Sequence, residues 1–127
     1  MLQRIIAMPE LPEVETIVRS LRPHLTGRTV QGCTFNWPNA LKSPPEEIQR
    51  ELPGQKIQGI DRRAKYLVFS LSGQYRLLIH LKMSGRLLLQ SNESALPAHV
   101  HSWFELDRGE RLLFKDPRKF GRVYFVR

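Results

Sequence analysis

YLVFSLSGQYRLLIHL, residues 66–81, carries two near-continuous apolar runs around a short polar break. The runs are Tyr66 to Leu71 and Arg76 to Leu81, and the break is Ser72, Gly73 and Gln74. Apolar and aromatic runs of this length read as strands, and the break between them reads as a turn, so the stretch predicts a β-hairpin. The first run is apolar at alternate and intervening positions alike, as expected of a strand buried on both faces inside a sandwich. Toward the C-terminus, Arg86 to Leu89 predicts a further short strand, and Ser91 to Ala98 a polar loop. Trp103 to Leu106 and Arg111 to Lys115 predict a second hairpin around Asp107, Arg108, Gly109 and Glu110, and Arg122 to Val126 a last strand.

Toward the N-terminus, Gln55 to Asp61 and Thr29 to Phe35 read as strands, with Gly32 as the place for a bulge. Asn36 to Ser43 is a loop carrying Trp37 and Pro38. A short helix follows, with Ser43 expected as its N-cap, Glu46 and Glu47 in its first turn and a stop at Pro53 and Gly54. A longer helix starts at Pro12, whose missing N–H costs nothing in a first turn. Its apolar stripe is Val14, Ile17, Val18, Leu21 and Leu25, and it stops near Thr26 and Gly27. Glu10, Glu13 and Glu15 crowd the positive end of its dipole. These elements predict a mostly β chain with some α: a two-layer antiparallel β-sandwich or flattened barrel, with a long N-terminal helix and one short helix. The long helix would hold the Pro9 end near a sheet edge.

The chain has 127 residues, enough for one domain with a real core. Its formal net charge is +8, from 20 basic and 12 acidic residues, which favours a polyanionic partner. Nucleic acid comes before membrane, because no basic amphipathic helix stands out and no stretch nears the ~20 apolar residues of a span. A single cysteine, Cys33, excludes an internal disulfide and fits a reducing cytoplasm; it reads as a small core residue. Residues 1–7 read as an extension or as a misassigned start, since the apolar run broken by Arg4 is too short for a secretory segment.

Several residue types point to chemistry. If translation starts at Met8 and that residue is removed, Pro9 has a secondary amine with a pKa near 8. Such an amine attacks an electrophilic carbon to form an iminium, and Glu10 beside it is able to carry a proton. With residues 1–7 retained, the same nitrogen is an amide and no nucleophile. Lys65, after Arg62 and Arg63 at the mouth of an apolar strand, reads as a solvated cation or as a phosphate contact that also transfers a proton. Met83 sits in a turn between strands, where it packs or, being polarisable and unbranched, wedges between bases. Arg118 offers a planar donor fork for a base edge, and Phe120 either packs in the core or stacks on bases. His99 and His101 form His-x-His; zinc would need further ligands, and a loop histidine near phosphates is the alternative. His80 reads as structural. No P-loop, Ser-His-Asp arrangement or Rossmann fingerprint is apparent.

Four blocks then carry a resemblance. MPELPEVET (residues 8–16), RRAKYL (62–67), HLKMSG (80–85) and DPRKFG (116–121) resemble, in order, the signature of the formamidopyrimidine-DNA glycosylases. The related endonuclease VIII type shares the leading Pro-Glu, but residues 11–16 favour the formamidopyrimidine type. The resemblance covers residues 8–127 and implies the N-terminal catalytic domain, with the family's helical and zinc-finger domains absent. It implies a base-excision repair glycosylase and abasic-site lyase acting on oxidised purines, including 8-oxoguanine, in damaged duplex DNA. On the matching positions it makes Pro9, Glu10 and Lys65 catalytic. It makes His99 a DNA contact, and Met83, Arg118 and Phe120 the set that fills the gap left by the extruded nucleotide. It implies a monomer, associated with the nucleoid, with no cofactor in this chain and zinc only in the missing finger. With the other domains absent, the fragment is expected to bind DNA weakly and to turn over poorly or not at all. A non-catalytic DNA-binding module, with Pro9 blocked or the domain truncated, is the alternative, and a retained Met1 distinguishes it. A basic β-sandwich unrelated to DNA would show no salt-dependent binding to duplex.

Overall fold

The computed structural model describes residues 4–5, 11–119 and 121–127. Among these residues the chain runs β1 (Arg4–Ile5), α1 (Leu11–Leu25), β2 (Val30–Phe35), α2 (Pro45–Glu51), β3 (Ile57–Arg63), β4 (Tyr66–Leu71) and β5 (Arg76–His80). It continues with β6 (Arg86–Ser91), β7 (Val100–Leu106), β8 (Glu110–Lys115) and β9 (Arg122–Val126). Two antiparallel sheets result, ordered β1-β6-β8-β7-β2 and β3-β4-β5-β9. This is the mostly β, two-layer sandwich with one long and one short helix that the sequence predicts.

Side-chain alternation explains the layering. Along β4, Leu67, Phe69 and Leu71 are buried, while Tyr66, Val68 and Ser70 are half-buried. The expectation of burial on both faces is therefore corrected: one face meets the core, and the other lies open beside Leu78 and Val126, with Arg63 and Arg76 flanking it. The five-stranded sheet supplies Leu87, Leu89, Phe104, Leu112 and Phe114 to the same core. All five stripe residues of α1 are at most 1 % exposed, each contributing about 1.5–3 kcal/mol of burial. Gly27 ends that helix in a left-handed conformation, φ +87°.

Two local expectations change and one holds. Ser43 is not an N-cap: Pro44 takes that place with no side-chain cap bond. The Ser43 hydroxyl instead donates to the Phe125 carbonyl (3.0 Å) and accepts from the Phe125 N–H (2.8 Å), pinning the chain to β9. Glu15 lies past the first turn of α1, where only Glu13 is acidic among the described side chains. It pairs instead with Arg62 (3.0 Å) and Arg19 (3.3 Å), and the Arg62 hydrogen bond holds its carboxyl below the usual range. The bulge in β2 falls between Val30 and Gly32, as expected.

Candidate nucleic-acid interface

The registers bring the candidate turns to one end of the sandwich. In the four-stranded sheet, Arg63, Tyr66, His80 and Arg122 form one cross-strand row. In the five-stranded sheet, Arg86 pairs with Lys115, and Lys115 with Val100. The turn at residues 64–65, the turns at 81–85 and 116–121, and His99 just before β7 all project beyond these rows. The Glu15–Arg62 pair sets the start of α1 at the same end.

Lys65 occupies, with Ala64, a two-residue turn between β3 and β4. Ala64 is left-handed, φ +54°, and its carbonyl accepts from Arg62 Nη1 at 3.1 Å. Arg62 thus braces the Lys65 turn against α1 with one guanidinium. Lys65 is exposed, and neither it, Arg63 nor Lys82 has a carboxylate partner among the described residues. Met83 is 65 % exposed, an apolar side chain held out in solvent. Its neighbour Lys82 is left-handed, φ +58°, and donates its N–H to His80 Nδ1 at 3.0 Å. His80 therefore organises the Met83 turn, in keeping with its structural reading. Burial, then Lys82 and Lys65, lower its pKa and favour the neutral ring. The Tyr66 ring meets His80 edge-on at 4.8 Å, fixing the base of the Lys65 turn.

Arg118 is exposed in the turn between β8 and β9, and Lys119 next to it is left-handed, φ +59°. Lys119 Nζ lies 4.3 Å from the centre of the Trp37 ring, tying the turn to the loop after β2. Beneath both turns lies Asp116, wholly buried. One carboxyl oxygen accepts from the Ser84 hydroxyl and the Arg118 N–H (3.2 Å), the other from the Gly121 N–H at 2.7 Å. The sequence reading gave Asp116 and Ser84 no role. A local signal existed for the first: Asp commonly accepts from the N–H two residues on.

His99 is exposed and left-handed, φ +67°, whereas His101 is 5 % exposed with its ring 4.7 Å from that of Phe114. The two do not form a metal pair, and among the described residues no three His, Cys, Asp or Glu side chains are grouped to hold a metal. The Cys33 thiol is pushed up to about 11, first by burial and then by Glu105, so it stays protonated at neutral pH. Pro9, Glu10 and Phe120 lie outside the described residues. Lys65, Met83, His99 and Arg118 are brought to one end.

An antiparallel sandwich with a cationic end built from turns and carrying an exposed thioether belongs to the class of domains suited to a polyanion. The profile of the formamidopyrimidine-DNA glycosylase N-terminal domain matches residues 8–123, and the chain belongs to that family. It is 50 % identical over 120 residues to the formamidopyrimidine-DNA glycosylase of Chloroflexus aurantiacus, covering 94 % of this chain and 43 % of that protein. Against the Bacillus subtilis protein of the same name, identity is 42 % over 122 residues, covering 94 % and 44 %. Lactococcus lactis FPG in complex with DNA containing FAPY-dG superposes with a TM-score of 0.88 at 34 % identity, covering 92 % of this chain and 44 % of that one. The same enzyme bound to abasic-site DNA gives a TM-score of 0.87, with 92 % and 45 % covered. The chain thus spans less than half the length of these relatives.

Proposed function

We propose that residues 8–127 form the catalytic N-terminal domain of a bifunctional DNA glycosylase and abasic-site lyase, and that residues 1–7 precede its functional start. The observation that carries this reading is the convergence of the Lys65, Met83, His99 and Arg118 turns at one cationic end. The substrate is duplex DNA with oxidised purines; the names of the relatives and the FAPY-dG complex support this class.

The free Pro9 amine attacks the sugar carbon bearing the damaged base, and the base leaves with its bonding pair and takes up the proton that the amine nitrogen gives up. Glu10 protonates the ring oxygen as the sugar opens to an iminium. The iminium acidifies the adjacent C–H; loss of that proton expels the phosphate beyond it, and Lys65 assists this elimination. The exposed Lys65 turn, braced to the start of α1 by Arg62, suits that role. Extruding the nucleotide costs a few kcal/mol, which Met83 and Phe120 offset by restoring stacking while Arg118 meets the orphaned partner base. No step is routed through a metal, and zinc is assigned to the finger of longer family members. The domain acts as a monomer in the cytoplasm, on nucleoid DNA; no described helix is long and apolar enough to cross a membrane.

A specific observation favours a second reading, a DNA-binding module without chemistry. Arg4 and Ile5 pair with Leu89 and Leu88 of β6, so sequence upstream of Pro9 takes part in the fold. With that segment retained, the Pro9 nitrogen is an amide. Borohydride trapping on abasic-site DNA separates the two, using the chain from Met1 beside one from Pro9. Adduct with the Pro9 form alone supports the amine as nucleophile. Adduct with neither favours the binding module. Equal adduct with both moves the nucleophile to a lysine such as Lys65 or implies removal of the first residues.

A further inference from the structure

We propose that Asp116 is a positioning residue that holds the Met83 and Arg118 turns as one unit, so that the two side chains enter DNA together. The proposal rests on the reading of this end as a DNA face and goes beyond it by naming what couples its parts.

Asp116 stands at the junction of three turns. Its backbone N–H donates to the His99 carbonyl at 2.9 Å. Its carboxyl oxygens reach across to Ser84, next to Met83, and down its own turn to Arg118 and Gly121. The residue is fully buried, and no cation pairs with it among the described residues. A buried carboxyl group lacking these donors would be costly, so the turns and the side chain determine one another's positions. Packing alone does not supply that direction. Phe114 supports both turns: a Cβ on Gly85 or Gly121 would lie 3.0 or 2.3 Å from its ring. An apolar ring tolerates sliding; hydrogen bonds to two oxygens of one carboxyl group do not. Each turn also carries a left-handed lysine, Lys82 or Lys119, which needs an external anchor to persist.

The alternative is that Asp116 only stabilises the fold. A double-mutant cycle separates the two roles. Dissociation constants of the 127-residue chain are measured at low salt for duplex containing a tetrahydrofuran abasic analogue and for undamaged duplex. Met83→Ala, Arg118→Ala and the double variant are compared in the original and in the Ser84→Ala background. Ser84→Ala removes one bond to Asp116 and leaves those from Arg118 and Gly121 in place, so the fold is retained. In the original background the two truncations are expected to be non-additive by about 5-fold in Kd, falling below about 2-fold with Ser84→Ala. Ser84→Ala alone should lower the preference for the abasic duplex by about 5-fold and leave undamaged binding unchanged. Asp116→Asn, followed by thermal melting, should give the same loss of preference at any temperature where it is folded. Coupling that survives Ser84→Ala unchanged overturns the proposal alone. If neither Met83→Ala nor Arg118→Ala alters abasic binding, the DNA-face reading falls and the proposal with it.

Discussion

The two ends of the sandwich turn their strands with different residues. At the end with Lys65 and Met83, the left-handed positions among the described residues are Ala64, Lys82, His99 and Lys119. At the opposite end, Gly27, Gly54 and Gly109 take that conformation, with Gln74 and Arg108. Glycine adopts it freely, whereas other residues give up about 1–2 kcal/mol each. The ends differ too in a buried ion-pair network. At the glycine end, Arg28 is buried and meets Asp107 at 2.6 Å and Glu110 at 2.8 Å. At the other end, Arg63, Lys65 and Lys82 meet no described carboxylate. The glycine end thus carries a buried ion-pair network, whereas the other end turns its strands on non-glycine residues and presents Lys65, Met83 and Arg118 to solvent. Strain of this kind, clustered beside residues already suspected of function, is a physical pointer to a site.

Removing the internal ion pairs tests the comparison most severely. Arg28→Ala should cost about 2–3 kcal/mol, below the figure for a fully buried pair, because Asp107 and Glu110 keep over a quarter of their side-chain surface in water. Denaturant melting measures the loss. DNA binding of the folded variant should be unaffected, and any weakening beyond 2-fold would break the division between the ends. Gly121→Ala comes next, at about 1–3 kcal/mol, because its Cβ would sit 2.3 Å from Phe114 Cζ. Unlike Arg28→Ala, it should also weaken binding to abasic duplex. Lys65→Ala and Lys82→Ala should change stability by less than about 0.5 kcal/mol. Each should reduce the slope of log K against log salt by about 0.9, read from a salt titration of duplex binding.

The smallest effect concerns pH. Burial chiefly holds the His101 imidazole below its ordinary value, although Asp116 opposes the shift. Between the folded and unfolded values the unfolded chain binds more protons, so stability rises with pH there. The contribution is whole above the unfolded value near 6.5 and is lost as pH falls through the folded value. Melting curves from pH 8 to 5 should show the decline, and His101→Gln should reduce it, leaving the part that belongs to His80, whose ring is also held below its ordinary value by burial.

The strands were legible in sequence because alternation and turn residues are local, and the stripe of α1 because five apolar residues share one helical face. Val68 misled because a branched apolar residue looks the same on an open face as in a core. Ser43 misled because Phe125, 82 positions away, competes for its hydroxyl. Arg28 gave no signal at all, since its partner Asp107 lies 79 positions off. The candidate residues were legible by type and by family resemblance. That their turns share an end depends on strand register and on the order β6-β8-β7, which no local pattern encodes.

One feature of the topology bears on how the chain is made. β9 completes the four-stranded sheet by pairing with β5, from His80–Arg122 to Arg76–Val126. During synthesis the β5 edge leaves the ribosome first and stands without its neighbour until Val126 emerges, a delay of about 2–10 s at ordinary elongation rates. For that interval an apolar strand edge is open to wrong pairing, and nascent-chain chaperones have their best opportunity to hold it.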